Sequence, residues 1–495
     1  MDSVLDLARW QFGFTTVYHF MFVPLTVGLT MVVAVMETIW LRTKNPDWLR
    51  LTKFTSKLLL INFAIGVATG IIQEFQFGMN WSAYSRFVGD IFGAPLAVEA
   101  LMAFFLESTF LGLWIFGWDK LPRGLHNACM WIVHLGTLAS SWFILAANSW
   151  MQHPVGYHFD STTGRAELDD FWAVMANKVQ LGTFPHVILA AYMTAGAFML
   201  GVFGWLWVKR HRDQDGSSRR PMYRSGMRMA AVILFVSGVG VAVSGDFQGK
   251  IMTDVQPMKM AAAEALWDTS DSCAPFSILT IGTRDGKHKK WALEVPCVLS
   301  FLGTGSFDGK VQGIYDLQKE YRAKYGQDPS AAYYSAGDYT PIIPVTYWSF
   351  RWMMGLGVVG AFCGAVVLWL TRRGRAPTGG LVGRFFPALA ISVPVMVLLG
   401  NSMGWIFTEM GRQPWAVFGL LTTDQAVSPT GNMVELAIAL IGFILLYAVL
   451  AVIEVGLLVR VVRQGPEPFV EPPDPSLRGG SGSEADADEP LNFAY

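Results

Sequence analysis

The stretch Gly404-Trp405-Ile406-Phe407-Thr408-Glu409-Met410-Gly411-Arg412-Gln413-Pro414-Trp415 closes a strongly apolar run that begins near Phe386. A carboxylate and a guanidinium this close to hydrocarbon are expensive, about 2.5–3.5 kcal/mol each at the centre of a bilayer and less toward its edge. Two readings compete. Either Glu409 and Arg412 pair at a helix end among lipid headgroups, or Glu409 faces the interior of a bundle and binds something there. The rest of the chain decides between them.

Of 495 residues, 52% are hydrophobic and only 15% charged, against about 25% charged in soluble domains. Apolar runs of about 20 residues recur, which is the length a helix needs to cross a bilayer. The net charge of −1 carries no sign of a nucleic-acid partner. The first residues do not read as a cleavable leader: Asp2, Asp6 and Arg9 are scattered and no small-residue cleavage site follows. Cys129 and Cys363 fall inside apolar runs and read as core residues, and no metal-type cysteine spacing exists.

Nine spans emerge, near 16–41, 58–79, 96–118, 128–149, 181–208, 229–246, 345–371, 386–408 and 433–460. Basic residues sort the connections. One set holds Arg42, Lys44, Arg50, Lys53 and Lys57, then Lys120 and Arg123, then Lys209, Arg210, Arg212, Arg219, Arg220, Arg224 and Arg228, then Arg372, Arg373, Arg375 and Arg384. The alternating set holds only Arg86, Arg165, Lys178 and Arg412 in its short loops. The positive-inside rule then puts the N-terminus outside and the C-terminus in the cytoplasm. The expected fold is an all-α integral membrane protein of nine transmembrane helices with a long extracytoplasmic loop. Four regions follow: helices 1–6 over 1–246, the loop over 247–344, helices 7–9 over 345–463, and a disordered cytoplasmic tail over 464–495, rich in Pro, Gly, Ser and acid. Within the loop, Met258–Trp267 reads as a helix.

Topology gives each polar residue a depth. A few residues from a helix end means roughly 5–15 Å into the membrane. His19, Glu74, Glu99, His186, Met353 and Glu409 fall at one level near the outer face, on different spans, and Glu107 lies two turns below Glu99. Singly, each has a plain reading: a hydrogen-bonded core histidine, a packing methionine, a capping glutamate. Together, imidazole, thioether and carboxylate at one depth in a helical bundle are what haem iron takes as axial ligands. His126, His211 and His288 read as loop residues, His153 and His158 as outer-loop residues, and His134 as structural.

Dense blocks then carry a resemblance. Thr16-Val17-Tyr18-His19-Phe20, Glu74-Phe75-Gln76-Phe77-Gly78, Ser85–Glu107, Glu107-Ser108-Thr109-Phe110, Trp150-Met151-Gln152-His153-Pro154-Val155-Gly156, Trp348-Ser349-Phe350-Arg351-Trp352-Met353 and Gly411-Arg412-Gln413-Pro414-Trp415 stand in the order and spacing of cytochrome bd-type quinol oxidase subunit I. The chain resembles that family across nearly all of 1–460, in its short quinol-loop type. The resemblance implies three haems, b558, b595 and d, held by the two helical regions. It implies His186 and Met353 as the axial pair of haem b558, and His19 and Glu409 as ligands of the two high-spin haems, with Glu99 beside them. Which high-spin iron belongs to b595 and which to d stays open. Trp405 is placed between haems, or else is an interfacial aromatic. Arg351 and Arg412 pair with haem propionates, or else snorkel. Lys259 and Glu264 match the quinol-site pair of the loop, where the other reading is a solvated helix face. Glu107 and Ser140 resemble a proton path. Cys273 and Cys297 lie in this loop, on the oxidising side of the membrane, and a disulfide between them is expected.

The implied activity is a quinol:oxygen oxidoreductase in the bacterial cytoplasmic (inner) membrane. It oxidises ubiquinol or menaquinol at the outer face and reduces O2 to water with cytoplasmic protons, building proton motive force without pumping. A second multi-pass subunit and small single-span subunits are implied partners. The alternatives are a cyanide-insensitive relative lacking haem d, a haem-binding electron-transfer subunit that never meets O2, and a secondary transporter with intramembrane carboxylates.

Overall fold

The computed structural model describes residues 2–209, 218–283, 288–326, 337–375 and 380–473. Among the described residues, nine helices are long and apolar enough to cross a membrane. In chain order these are α1 (Asp2–Thr43), α2 (Pro46–Met79), a continuous rod made of α3 (Ser82–Val98), a π-helical turn (Glu99–Phe104) and α4 (Phe105–Phe116), then α5 (Arg123–Gln152) and, after the short α6 (Phe171–Met175), α7 (Lys178–Lys209) and α8 (Arg220–Val255). The long connection that follows holds α9 (Pro257–Glu264), a hairpin of β3 (Phe276–Gly282) and β4 (Lys289–Val295), α10 (Val298–Thr304) and α11 (Ile314–Tyr325). The last crossing helices are α12 (Ile343–Leu370), α13 (Gly380–Met410) and, after the short α14 (Thr423–Ala426), α15 (Met433–Gln464). A small antiparallel hairpin, β1 (Tyr157–Asp160) with β2 (Arg165–Leu168), joins α5 to α6.

Local chemistry sets the helix starts. Asn45 ends a two-residue connection by accepting the Asp47 N–H at 3.0 Å, with Pro46 in the first turn. Asn432 caps α15 through Val434 N–H. α1 and α7 form the centre: 61% and 67% of their apolar windows are buried, against 11% for α15 on the flank. Leu29, Val33 and Met36 of α1 pack with Leu58 of α2, Met199 and Phe203 of α7 and Leu234 of α8. Backbones meet closely where glycine permits it. A Cβ on Gly28 would lie 2.5 Å from the Ala191 carbonyl oxygen of α7, so small residues set this packing.

Several boundaries differ from the sequence expectation. Span six runs to Val255 rather than 246, because polar residues near a membrane surface do not interrupt a helix. Span three begins at Ser82 rather than 96, so Glu99 sits mid-rod and is no cap. The helix expected over 258–267 stops at Glu264: Ala265 turns left-handed (φ 49°) and Leu266 N–H closes on the Ala261 carbonyl. The tail expected to be disordered from 464 is fixed over 465–473. Lys57 binds Glu467 at 2.5 Å, Arg123 binds Glu471 at 2.9 Å, and Arg219 donates to the Pro466 carbonyl. The remainder of that tail, with Arg210, His211 and Arg212, lies outside the described residues.

Candidate functional site

His19 of α1 and His186 of α7 are held alike. Each imidazole is hydrogen-bonded at Nδ1 to a hydroxyl on the neighbouring helix: Thr69 Oγ1 of α2 at 3.0 Å and Ser244 Oγ of α8 at 3.1 Å. Each lies over a glycine. A Cβ on Gly70 would come 3.2 Å from His19 Cε1, and one on Gly245 would come 3.3 Å from His186 Cε1. Fixing one nitrogen while the other points away is how a metal-ligating histidine is set. Met353 of α12 rests on Gly404 of α13, where a Cβ would sit 2.9 Å from its sulfur. Next to that glycine, Trp405 stacks on Phe20, the neighbour of His19, at 4.9 Å between centroids. The Trp405 indole N–H is buried and has no partner among the described residues.

Glu409 accepts from Asn148 Nδ2 at 3.0 Å and pairs with Arg412. Arg412 is buried, and its Nε and Nη1 have no partner among the described residues. Asn148 accepts in turn from Gln152 Nε2 at 2.9 Å, and Gln152 Oε1 accepts from Lys259 Nζ at 3.0 Å. Lys259 also donates to the Thr408 carbonyl at 3.1 Å. A continuous network therefore runs Lys259–Gln152–Asn148–Glu409–Arg412, joining α9, α5 and the end of α13. Burial lowers the Lys259 ammonium to about 7, nearby Arg412 adds to this, and Glu409 opposes it.

Glu264, five residues on, turns to another face and is also buried. It accepts from Arg351 Nη2 at 2.6 Å and from Ser277 N–H at 3.3 Å. Burial raises its carboxyl to about 7, and the Arg351 charge only partly offsets this. Neither residue of the pair lies on a solvated helix face. Arg351 spends its other contacts on the Ser277 and Ala263 carbonyls, so three of its five N–H groups are taken by protein. Cys273 and Cys297 form a disulfide that ties off the β3–β4 hairpin beside Glu264.

The remaining acids line the face between the α3–α4 rod and α5. Ser140 Oγ donates to Glu99 Oε1 at 2.5 Å. Glu107 packs on Gly136, where a Cβ would lie 2.8 Å from its Cγ. Eight residues of α-helix would turn these acids about 80° apart. The wider π-helical turn between them removes much of that offset, and such turns gather at functional sites. Glu74 is exposed on α2 and hydrogen-bonds to none of these groups among the described residues, though it lies near enough to Glu99 for the two charges to repel.

His134 bonds to Thr30 and Tyr192, as a structural residue does. His126, read as a loop residue, is inside α5 and buried. Sequence reasoning missed Asn148, Gln152, Thr69, Ser244 and Ser277. The first two lie four apart in one span, a spacing that marks one helix face. The orphaned donors of Arg412 and Trp405 and the glycine cradles fit large planar groups bearing carboxylates.

A profile of the cytochrome bd terminal oxidase subunit I family matches residues 7–466. The chain is 46% identical over 466 residues to cytochrome bd ubiquinol oxidase subunit 1 of Bacillus subtilis (strain 168), covering 94% of this chain and 95% of that one. It is 37% identical over 516 residues to cytochrome bd-II ubiquinol oxidase subunit 1 of Escherichia coli (strain K12), covering 94% and 98%. Its fold is similar to that of the bd oxidase from Geobacillus thermodenitrificans, with a TM-score of 0.81 at 25% identity over 94% of this chain and 99% of that one.

Proposed function

The chain belongs to the cytochrome bd terminal oxidase subunit I family, and on that premise we propose that it is the haem-bearing catalytic subunit of a respiratory quinol:oxygen oxidoreductase. Membership makes it a multi-pass membrane subunit of a haem-containing quinol oxidase that works with a second subunit. It sets aside the transporter reading. The finer assignment is ours. His186 and Met353 hold the low-spin haem b558, and His19 and Glu409 hold the two high-spin haems, b595 and d. Arg412, with both Nε and Nη1 unspent, receives a propionate, and Arg351 has two N–H groups left for another.

Bound haem supplies the one-electron and O2 chemistry. The residues of this chain hold, orient and feed it. Glu264 as a carboxylate and Lys259 as a neutral amine accept the protons of quinol, and Arg351 keeps Glu264 in place. The Gln152–Asn148 bridge ties Lys259 to Glu409, so the quinol side and the ligand side form one rigid unit. Glu107, Ser140 and Glu99 carry protons toward the high-spin side. With the N-terminus outside, the Lys259–Glu264 side faces outward and the basic connections face the cytoplasm of a bacterial inner membrane. Protons drawn from within and released without then separate charge with no pump. Small single-span subunits complete the assembly. An enzyme lacking haem d is the second reading, favoured by the fact that these ligands fix an iron and not its porphyrin.

The observation that carries the proposal is the pair of imidazoles, each fixed at Nδ1 over a glycine, on helices that also meet Met353, Trp405 and Glu409. The test is a reduced-minus-oxidised spectrum of the two-subunit complex, with oxygen uptake on ubiquinol and menaquinol. Low-spin and chlorin bands with quinol-driven uptake are expected. A complex without haem absorbance overturns the proposal.

A further inference from the structure

The inward face of α15 is apolar at Leu436, which is buried, and at the half-buried Leu440, Phe443, Leu450 and Leu458, and polar at two buried positions, Tyr447 and Glu454. Glu454 is only 9% exposed and makes no hydrogen bond or ion pair among the described residues. The Tyr447 hydroxyl is buried and also lacks a partner. Seven residues separate the two, so they lie on one helix face about 10 Å apart. Tyr447 stacks on Tyr18 of α1 at 4.5 Å, and its carbonyl accepts from Tyr18 Oη at 3.1 Å. Tyr18 precedes His19. In the other direction Glu454 lies ten residues before Gln464, about 15 Å from the basic end of the bundle. A carboxyl at this depth, on a residue nine-tenths buried and without a cation among the described residues, is costly and calls for a function. Unpartnered buried polar groups in a row are where water is held.

We infer that Glu454 is a proton carrier in a second inward lane, which runs along the α1–α15 contact from the basic end of the bundle toward the side of His19. The inference rests on the oxidase reading above. The carboxylate takes a proton arriving from the basic end and, as the neutral acid, releases it through ordered water past Tyr447 and Tyr18. The step moves one proton and leaves the carboxylate as it began. This lane is distinct from the Glu107–Ser140–Glu99 face, which lies between the α3–α4 rod and α5.

The test uses the two-subunit complex in liposomes, with Glu454→Gln and Glu454→Asp compared in H2O and D2O. Glu454→Gln should keep the wild-type haem spectrum, lower quinol-driven oxygen uptake by roughly tenfold or more, and enlarge the solvent isotope effect. Glu454→Asp, which keeps an acid, should restore most of the rate. Unchanged turnover, slowing without a larger isotope effect, failure of aspartate to rescue, or loss of haem in Glu454→Gln each overturns the inference. A wild-type complex without haem or oxygen uptake would instead defeat the oxidase reading, so the two failures are told apart.

Discussion

Two carboxylates, Glu37 fully buried and Glu409 half-buried, sit toward different ends of the bundle and are treated differently. Glu37 accepts from the Trp114 indole at 2.7 Å and from His126 Nδ1 at 2.7 Å, while His126 Nε2 meets the Trp114 carbonyl at 2.8 Å. The Trp118 ring covers the imidazole at 4.0 Å. Every polar atom of that cluster is spent on the protein. Glu409 is also satisfied, by Asn148 and Arg412, but Arg412 and Trp405 beside it keep three buried donor nitrogens with no acceptor among the described residues. Leaving such a donor unmade costs about 1–3 kcal/mol. A closed cluster ties helices together, and an open one is a socket shaped for something else. Mutation should therefore separate the two ends by kind of damage and not only by amount.

The largest effect belongs to the open end. His186→Ala or Met353→Ala should abolish the low-spin band and quinol-driven oxygen uptake, read on the purified complex by difference spectroscopy. Arg412→Gln, which keeps a ligand but removes the charged donors, should weaken haem retention about ten- to a hundredfold. An Arg412→Gln complex with a full pigment set would close the distinction between the two ends.

At the closed end, His126→Leu leaves Glu37 buried beside one donor. Breaking a buried pair in this way costs about 3–5 kcal/mol. The thermal midpoint should fall accordingly, while haem absorbance per folded complex stays at the wild-type ratio. A selective loss of one haem at unchanged midpoint would show that Glu37 and His126 serve the site after all.

Glu264 and Arg351 form a third pair, which sharpens the contrast because it is closed on one side and functional on the other. Burial pushes Glu264 up to about 7, and burial with Arg412 brings Lys259 down to about 7. Below that pH both are protonated and neither accepts a proton from quinol. Above it the carboxylate and the neutral amine are both bases. kcat/KM for quinol should therefore rise with pH, half-maximal near 7. Glu264→Gln should lower it by about a hundredfold at pH 8 and flatten the rise, with the spectrum unchanged. A profile that stays the same in Glu264→Gln would take the acid out of quinol oxidation.

Much of this was legible in the sequence, for physical reasons. Hydropathy marks a span because a largely exposed apolar helix such as α15 lowers its free energy only by leaving water. The ligand candidates stood out because His and Glu are rare in such runs. Helix ends were not legible: the nine extra residues at the end of α8 and the early start of α3 are polar or mixed, and hydropathy stops where hydrocarbon does. The π-helical turn at Glu99 leaves no mark in composition. Asn148 and Gln152 were missed because an amide in an apolar run reads alike whether it bridges a lysine to a glutamate or bonds its own helix. His126 was misread as a loop residue because a lone imidazole beside Lys120 and Arg123 looks solvated, and its partner Glu37 lies 89 residues away in the chain.

The smallest expected effect tests the same distinction where water reaches the charges. The segment 465–473 is held by Lys57–Glu467 and Arg123–Glu471, both with largely exposed carboxylates, and by Arg50 donating to the Glu467 carbonyl at 2.8 Å. Exposed pairs contribute about 0–1 kcal/mol each and weaken with salt, because the Debye length falls to about 3 Å at 1 M. Truncation after Gln464 should therefore lower the thermal midpoint by only a few degrees in dilute buffer, and the difference from wild type should vanish in 1 M salt. The His126→Leu deficit, set in a site that ions do not enter, should persist at the same salt. Equal salt sensitivity in the two variants would mean that water reaches the Glu37 cluster, and a cluster open to water is not closed.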